Sequence, residues 1–217
     1  MTVQYRKTLT VSASDADAVA ASQTPAGAGN LTLTSATVTL PNGGQRPSVE
    51  SASNISNRTL TFTGTDRAGN PMTMSMTGPN ATEVVLPATM ATITNVAISG
   101  AAAGALTVGY VAMADTNPLP LDTRSDPTSV SLTIQNFTGA GTPEATVRFT
   151  QDNVFAFDGT YDLGDIIWFN HATLVAQTAA ATGSFDKPVV AAGLLLDGND
   201  QAATVDFIVL QGTSGVS

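Results

Sequence analysis

The chain has 217 residues, 42% of them hydrophobic and 12% charged, with a formal net charge of −9 and no cysteine. The apolar content is enough for a packed core, and the missing cysteine excludes disulfides, thiolate metal sites and a cysteine nucleophile. With 8 basic residues against 17 acidic ones, there is no patch to displace counterions from nucleic acid or to sit on an anionic bilayer, so neither is an expected partner.

The opening residues Met1–Lys7 lack the apolar run of a secretory signal. The apolar run Val189–Leu196 is too short to cross a bilayer. The expectation is a soluble protein made in a cytoplasm. Tyr5–Val11 reads as a strand with Leu9 and Val11 on one face. Ser14–Ala21 carries the marks of a helical turn, with Ser14 as N-cap and Asp15 and Asp17 in the first turn. Pro25–Asn30 ends that segment. Leu31–Thr34 and Ala36–Leu40 read as short strands before a turn at Pro41–Gly44, and the polar Ser48–Asn57 as an irregular link or a sheet edge.

The stretch Arg58–Asn80 carries the strongest local signal. Leu60 and Phe62 alternate with Thr59, Thr61 and Thr63; Met72, Met74 and Met76 alternate with Thr73, Ser75 and Thr77. Period-two alternation places one set on a buried face and the other outside. Asp66–Pro71 between the runs holds Gly69 and Asn70, residues that tolerate positive φ, so the spacing predicts a β-hairpin. Thr92–Ser99 predicts another strand, but its alternation slips between Ile93 and Val96, and a one-residue slip predicts a β-bulge. Gly100–Ala105 is a turn, and Leu106–Val111 closes the first unit.

Asp115–Pro127 contains three prolines and is the expected linker. All six methionines precede it, whereas Trp168 and most phenylalanines follow. Val130–Gln135, Ala145–Thr150, Ile166–Asn170, Pro188–Leu196 and Thr204–Gln211 read as strands of the second half. Short strands at regular spacing with Gly, Pro and Asn between them predict an all-β chain. The expected organisation is two β-sandwich or jelly-roll-like domains, residues 1–114 and 129–217, joined by a Pro-rich linker at 115–128.

Catalytic constellations are hard to build from these residues. His171 is the only histidine, and Asn170-His-Ala-Thr carries no nucleophile elbow or oxyanion loop. One histidine and no cysteine leave a zinc site without its usual ligands. Gly27–Gly29 and Gly139–Gly141 fall short of a dinucleotide fingerprint, and no P-loop is present. Asp158–Asp165 and Asp197–Asp200 place carboxylates among glycines, as Ca²⁺ loops do, but Asp-Gly is also ordinary turn chemistry and neither run has the EF-hand order. Tyr161, Trp168 and Phe169 can line a sugar site or fill a core. The expectation is a non-enzymatic protein with no catalytic residues, no metal and no cofactor.

Five blocks occur in order in the first half: Ala20–Leu33, Arg58–Pro71, Thr77–Asn80, Ile93–Gly100 and Gly104–Gly109. In that order they resemble a recurring module of tailed-bacteriophage virion proteins. Trp168, Gly183–Leu194 and Ala203–Gly212 resemble a second phage module. Methionines at 72, 74 and 76 depart from the more polar residues expected in the first.

The resemblance implies a virion structural protein made in a host bacterial cytoplasm. The leading expectation is a capsid decoration (cement) protein, a homotrimer on the capsid exterior bound to the major capsid protein. A head–tail connector or neck or tail protein is the alternative, and a carbohydrate-binding fibre module a third. The partner-contact candidates are Arg6, Lys7, Met72, Met74, Met76 and Trp168. The methionines read either as a flexible apolar contact or as ordinary core. Arg6 and Lys7 read either as an arm across an acidic neighbour or as a frayed terminus.

Overall fold

The computed structural model describes residues 3–116, 119–120, 127–150, 156–161, 166–170, 175–177 and 191–213. The strand pairs whose register is described are all antiparallel, and among the described residues the helical content is one short 3-10 turn at Pro41–Gly43. The chain is all-β. It divides into two compact units that are not consecutive in sequence. One comprises Val11–Ala114 with Gly198–Ala202; the other comprises Met1–Thr10, Asp115–Asp197 and Ala203–Ser217.

Strand β1 (Val3–Val11) opens the chain and belongs to a sheet of the second unit. The first unit is built from β2 (Asp15–Gln23), β3 (Gly29–Asn30), β4 (Val38–Thr39), β5 (Arg46–Ser51), β6 (Thr59–Thr65), β7 (Pro71–Thr77), β8 (Glu83–Val85), β9 (Thr92–Ile98) and β10 (Leu106–Val111). One sheet has the order β2-β10-β5-β8; the other has β3-β9-β6-β7, with β4 also on β9. Val19, Val49, Leu106 and Val108 from the first sheet share one buried cluster with Leu60, Phe62, Ile93, Val96 and Ile98 from the second. Two sheets closing on one apolar layer make a β-sandwich.

The structure departs from three local expectations. Ser14–Ala21 does not turn as a helix: Asp15–Gln23 is β2, with Val19 and Ala20 fully buried. Capping and first-turn acids describe only a helix start, and a segment this short has no stability without an apolar helical face. Pairing with β10 and burial of Val19 supply what a helix would lack.

Ser48–Asn57 is not an edge over its first residues, because β5 lies between β10 and β8 and pairs with both. Its polarity is absorbed internally: the Ser51 hydroxyl donates to the Ala105 carbonyl at 2.9 Å, and Ser48 lies across from Gly109 where β2 crowds in. Leu31–Thr34 and Ala36–Leu40 shrink to the two-residue β3 and β4. The β9 bulge separates their partners, β3 pairing with Ile98 and Ala97 and β4 with Ile93 and Thr92.

The bulge itself lies where the alternation slips. Along the β6–β9 ladder Thr63 faces Asn95 and Gly64 faces Ile93, so Thr94 is the extra residue. The hairpin also forms as spaced, with seven consecutive pairs from Thr59↔Thr77 to Thr65↔Pro71.

The second unit continues with β11 (Met113–Asp115), β12 (Leu119–Pro120), β13 (Pro127–Gly139), β14 (Glu144–Thr150), β15 (Ala156–Tyr161), β16 (Ile166–Asn170), β17 (Val175–Gln177), β18 (Ala191–Asp197) and β19 (Ala203–Thr213). Its sheets run β1-β19-β13-β16-β17 and β11-β18-β14-β15, with β12 also on β18. Leu9, Leu132, Ile134, Val205, Phe207 and Val209 are buried, the last three alternating along β19. In the Pro-rich stretch, Leu119 and Pro120 pair with Ala192 and Ala191, and Pro127 begins β13. Residues 117–118 and 121–126 lie outside the described residues.

Candidate partner-contact surface

The hairpin β6–β7 is held at its closed end by Asp66. Its carboxylate accepts the amide N–H of Ala68 (2.8 Å) and of Asn70 (2.9 Å) and the Asn70 side-chain amide (3.0 Å). Partial burial pushes this carboxyl up, but the donors from Asn70, Ala68 and Gly69 together outweigh it and hold the group below its ordinary value. Gly69 supplies the left-handed residue of the turn, with φ of 85°. The next side chain, Arg67, reaches across to the Pro41–Gly44 turn and donates to the carbonyls of Gly44 and Asn42, both at 2.7 Å. That turn needs such support, since Asn42, Gly43 and Gly44 all have positive φ.

Beyond the loop, β7 ends its sheet. The direction of its backbone groups follows from the two bonds that bracket it. Asp66 N–H donates to Asn70 C=O at 3.0 Å, and Gly78 N–H donates to Arg58 C=O at 2.9 Å. Hydrogen-bonded and non-bonded pairs alternate along an antiparallel ladder, so the in-register pairs between these bonds turn Met72, Met74 and Met76 toward β6. The N–H and C=O groups of Thr73, Ser75 and Thr77 turn to the open side.

The side chains sort separately: Met72, Met74 and Met76 are half-buried against the sandwich core, while Thr73, Ser75 and Thr77 are exposed. The Ser75 hydroxyl meets that of Thr61 at 2.9 Å on the outer face.

The other borders of this sandwich differ. β2 carries the exposed Asp15 and Asp17, β8 is three residues long and begins with Glu83, and β3 and β4 are two residues each. Among the described residues of this unit, β7 is the long border strand without a charge. Natural sheets guard such edges with charges, prolines, bulges or brevity. Here the guard is confined to Pro71 at the start of the strand.

The outer face of the opposite sheet is acidic. Glu50 lies directly opposite Glu83, and both are exposed. They line a shallow groove with Ser14, Ala16, Tyr110 and Asp200. Burial, and then the charge of Asp15, push the Tyr110 hydroxyl above its ordinary value. A groove lined this way repels phosphate and other anions.

In the same unit Gln45 is completely buried. Its side-chain oxygen accepts the Ser12 N–H (2.7 Å), and its amide donates to the carbonyls of Val111 (2.9 Å) and Ser12 (3.3 Å). Its backbone exchanges two bonds of 3.1 Å with Met90. Nothing in the local pattern of the sequence singled this residue out.

The remaining candidates fall in the second unit. Arg6 and Lys7 are exposed on β1, a paired strand at the border of its sheet. Across β1, β19 and β13 runs a polar rung in which Asp206 accepts the Thr8 hydroxyl and the Asn136 amide, the latter at 2.8 Å. The Thr8 and Asn136 bonds and then the Arg6 charge hold the Asp206 carboxyl below its ordinary value.

Trp168 sits on β16, in register with Ser131 of β13 and Gln177 of β17. His171 lies outside the described residues, as do residues 162–165 of the Asp158–Asp165 run. In the Asp197–Asp200 run Asp197 ends β18, and the turn follows over Gly198–Gln201 with positive φ at Asn199 and Asp200. Among the described residues, no three acidic or histidine side chains converge as metal ligands.

No family model matches this chain. No curated protein matches it either. Among solved structures it is similar to the crystal structure of the major capsid protein P2 from Bacteriophage PM2, at 12% identity over 98% of this chain and 99% of that one, with a TM-score of 0.20.

Proposed function

We propose that this chain is a non-enzymatic structural protein of a tailed-phage virion, and within that class a decoration (cement) protein bound to the outside of the head shell. The observation that carries the reading is how the five resembling blocks sit in the fold. Ala20–Leu33 spans the end of β2 and β3, Arg58–Pro71 is β6 with its loop, Thr77–Asn80 leaves the end of β7, Ile93–Gly100 is β9 and Gly104–Gly109 enters β10. Blocks spread over some ninety residues of sequence thus contribute to both layers of one sandwich core, an arrangement that supports reading them as one structural module.

The acidic outer groove suits a position facing solvent and away from packaged nucleic acid. Such a protein contributes stability through attachment rather than chemistry.

The test is thermal. Purified head shells lacking the protein are melted with and without the added chain, alongside the same titration with soluble sugars. Decoration predicts a rise in shell melting temperature that saturates with added protein and ignores sugar. An unchanged melting temperature removes the cement role. Binding abolished by sugar moves the protein to glycan recognition.

A further inference from the structure

We infer that β7 is a self-pairing edge, through which two copies of this chain join their sandwiches about a two-fold axis passing beside Ser75. The inference stands on the geometry of the hairpin and holds wherever the protein acts.

The sequence of the strand reads the same in both directions around Ser75. Thr73-Met74-Ser75-Met76-Thr77 is a palindrome, and Pro71 and Pro79 flank it at equal distances. An antiparallel pair of identical strands about a dyad places each residue opposite its mirror position. With Ser75 at the centre, Ser75 faces Ser75 of the second copy, Thr73 faces Thr77, and Met74 faces Met76. These are also the positions whose backbone groups point outward: Thr73, Ser75 and Thr77 have N–H and C=O on the open side, and each facing pair exchanges two hydrogen bonds. The flanking prolines have no N–H to offer, so the run of open donors stops at both ends of the palindrome.

The side chains agree. Met74 and Met76, half-buried along the inner face, come side by side with their counterparts and complete the cover over the sandwich core. Met72 comes opposite Gly78, where there is no side chain to clash.

Charge selects a copy over another partner. The protein carries a net charge of −9, and the borders of the same unit at β2 and β8 present Asp15, Asp17 and Glu83, which repel a like surface. From Pro71 to Pro79 there is no charge at all. The outward hydroxyls of Thr73, Ser75 and Thr77 suit a surface that meets itself, since each can donate or accept. A dyad of this kind predicts a dimer in place of the trimer expected from family resemblance.

The experiment uses the full chain. Its mass in solution is measured by light scattering, and single-cysteine variants Ser75→Cys and Thr73→Cys are compared under dissolved oxygen. The wild-type chain has no cysteine, so each variant has one thiol, and a disulfide forms when two thiols lose two protons and two electrons to the oxygen. At the dyad the Cα atoms of position 75 in the two copies lie about 5.5 Å apart, within disulfide range. Those of position 73 are displaced by about 13 Å along the strands, too far to bridge.

The expected result is a particle of twice the 22.0 kDa chain mass, near-complete cross-linking of Ser75→Cys and little of Thr73→Cys. Ser75→Lys, which sets two ammonium groups face to face on an exposed position, is expected to give a monomer with an unchanged circular dichroism spectrum. A monomeric or trimeric wild-type chain overturns the inference. So does a dimer in which Thr73→Cys cross-links as fast as Ser75→Cys, or one that Ser75→Lys leaves intact.

Discussion

Replacing Gly64 by alanine is expected to destabilise the first sandwich by at least about 3 kcal/mol, a loss out of proportion to one methyl group. A Cβ at this position falls 1.9 Å from the Thr92 carbonyl oxygen, 2.7 Å from its carbon and 3.0 Å from Ile93 Cα. All three are backbone atoms of the neighbouring strand, so no rotamer change relieves the clash. The strands must part where the β9 bulge brings them together. Phe62 and Ile93, both fully buried, are the adjacent core residues that would loosen.

The measurement is thermal unfolding followed by near- and far-ultraviolet circular dichroism. The unit's transition is expected to fall by roughly 10–20 °C on the usual scaling for a domain of this size. Gly27→Ala is the control, because nothing lies within 4 Å of a Cβ there. Equal behaviour of the two variants would show that the close approach at Gly64 is not a constraint.

The second large effect is expected at Gln45. Gln45→Leu keeps much of the volume but removes an acceptor from the Ser12 N–H and a donor from the Val111 carbonyl, in a site with no exposed surface on the glutamine. Each orphaned buried group costs on the order of 1–3 kcal/mol, and a total of about 3 kcal/mol is expected from denaturant titration.

Gln45→Glu adds a pH signature. Burial raises the folded-state pKa of a carboxyl above its unfolded value. The variant therefore recovers stability relative to its pH 7 value as the pH falls toward the ordinary glutamate range near about 4.3, and loses it as the pH rises. A glutamate variant indifferent to pH would mean that water reaches this site.

The hairpin and the β9 bulge were legible because both are period-two signals. Strict alternation from Thr59 to Thr63 and from Met72 to Thr77 fixes register, and one slip at Ile93–Val96 marks the inserted residue. β5 was not legible, because Arg46, Pro47, Ser48 and Ser51 carry no apolar period. Their burial is decided by Ala105, Tyr110 and β8, contacts distant in sequence. β2 departs from its local pattern for a related reason: Ser14, Asp15 and Asp17 satisfy local helix-start rules, and only pairing with β10 overrides them.

Of the contact surface, the methionine alternation and the palindrome stand in the sequence. That β7 is a border strand depends on the order of four strands, which no local pattern encodes. Gln45 left no sequence signal, since a single glutamine beside a Gly-Gly turn is ordinary until its three side-chain partners, drawn from Ser12 and Val111, are in place.

The measurement that tests the structural-protein reading most directly is the copy number of this chain relative to the major capsid protein, by quantitative mass spectrometry of purified virions. A number comparable to the capsid protein is predicted. A handful of copies would place the protein at the neck, tail or fibres. Its absence from the particles would contradict the virion assignment outright.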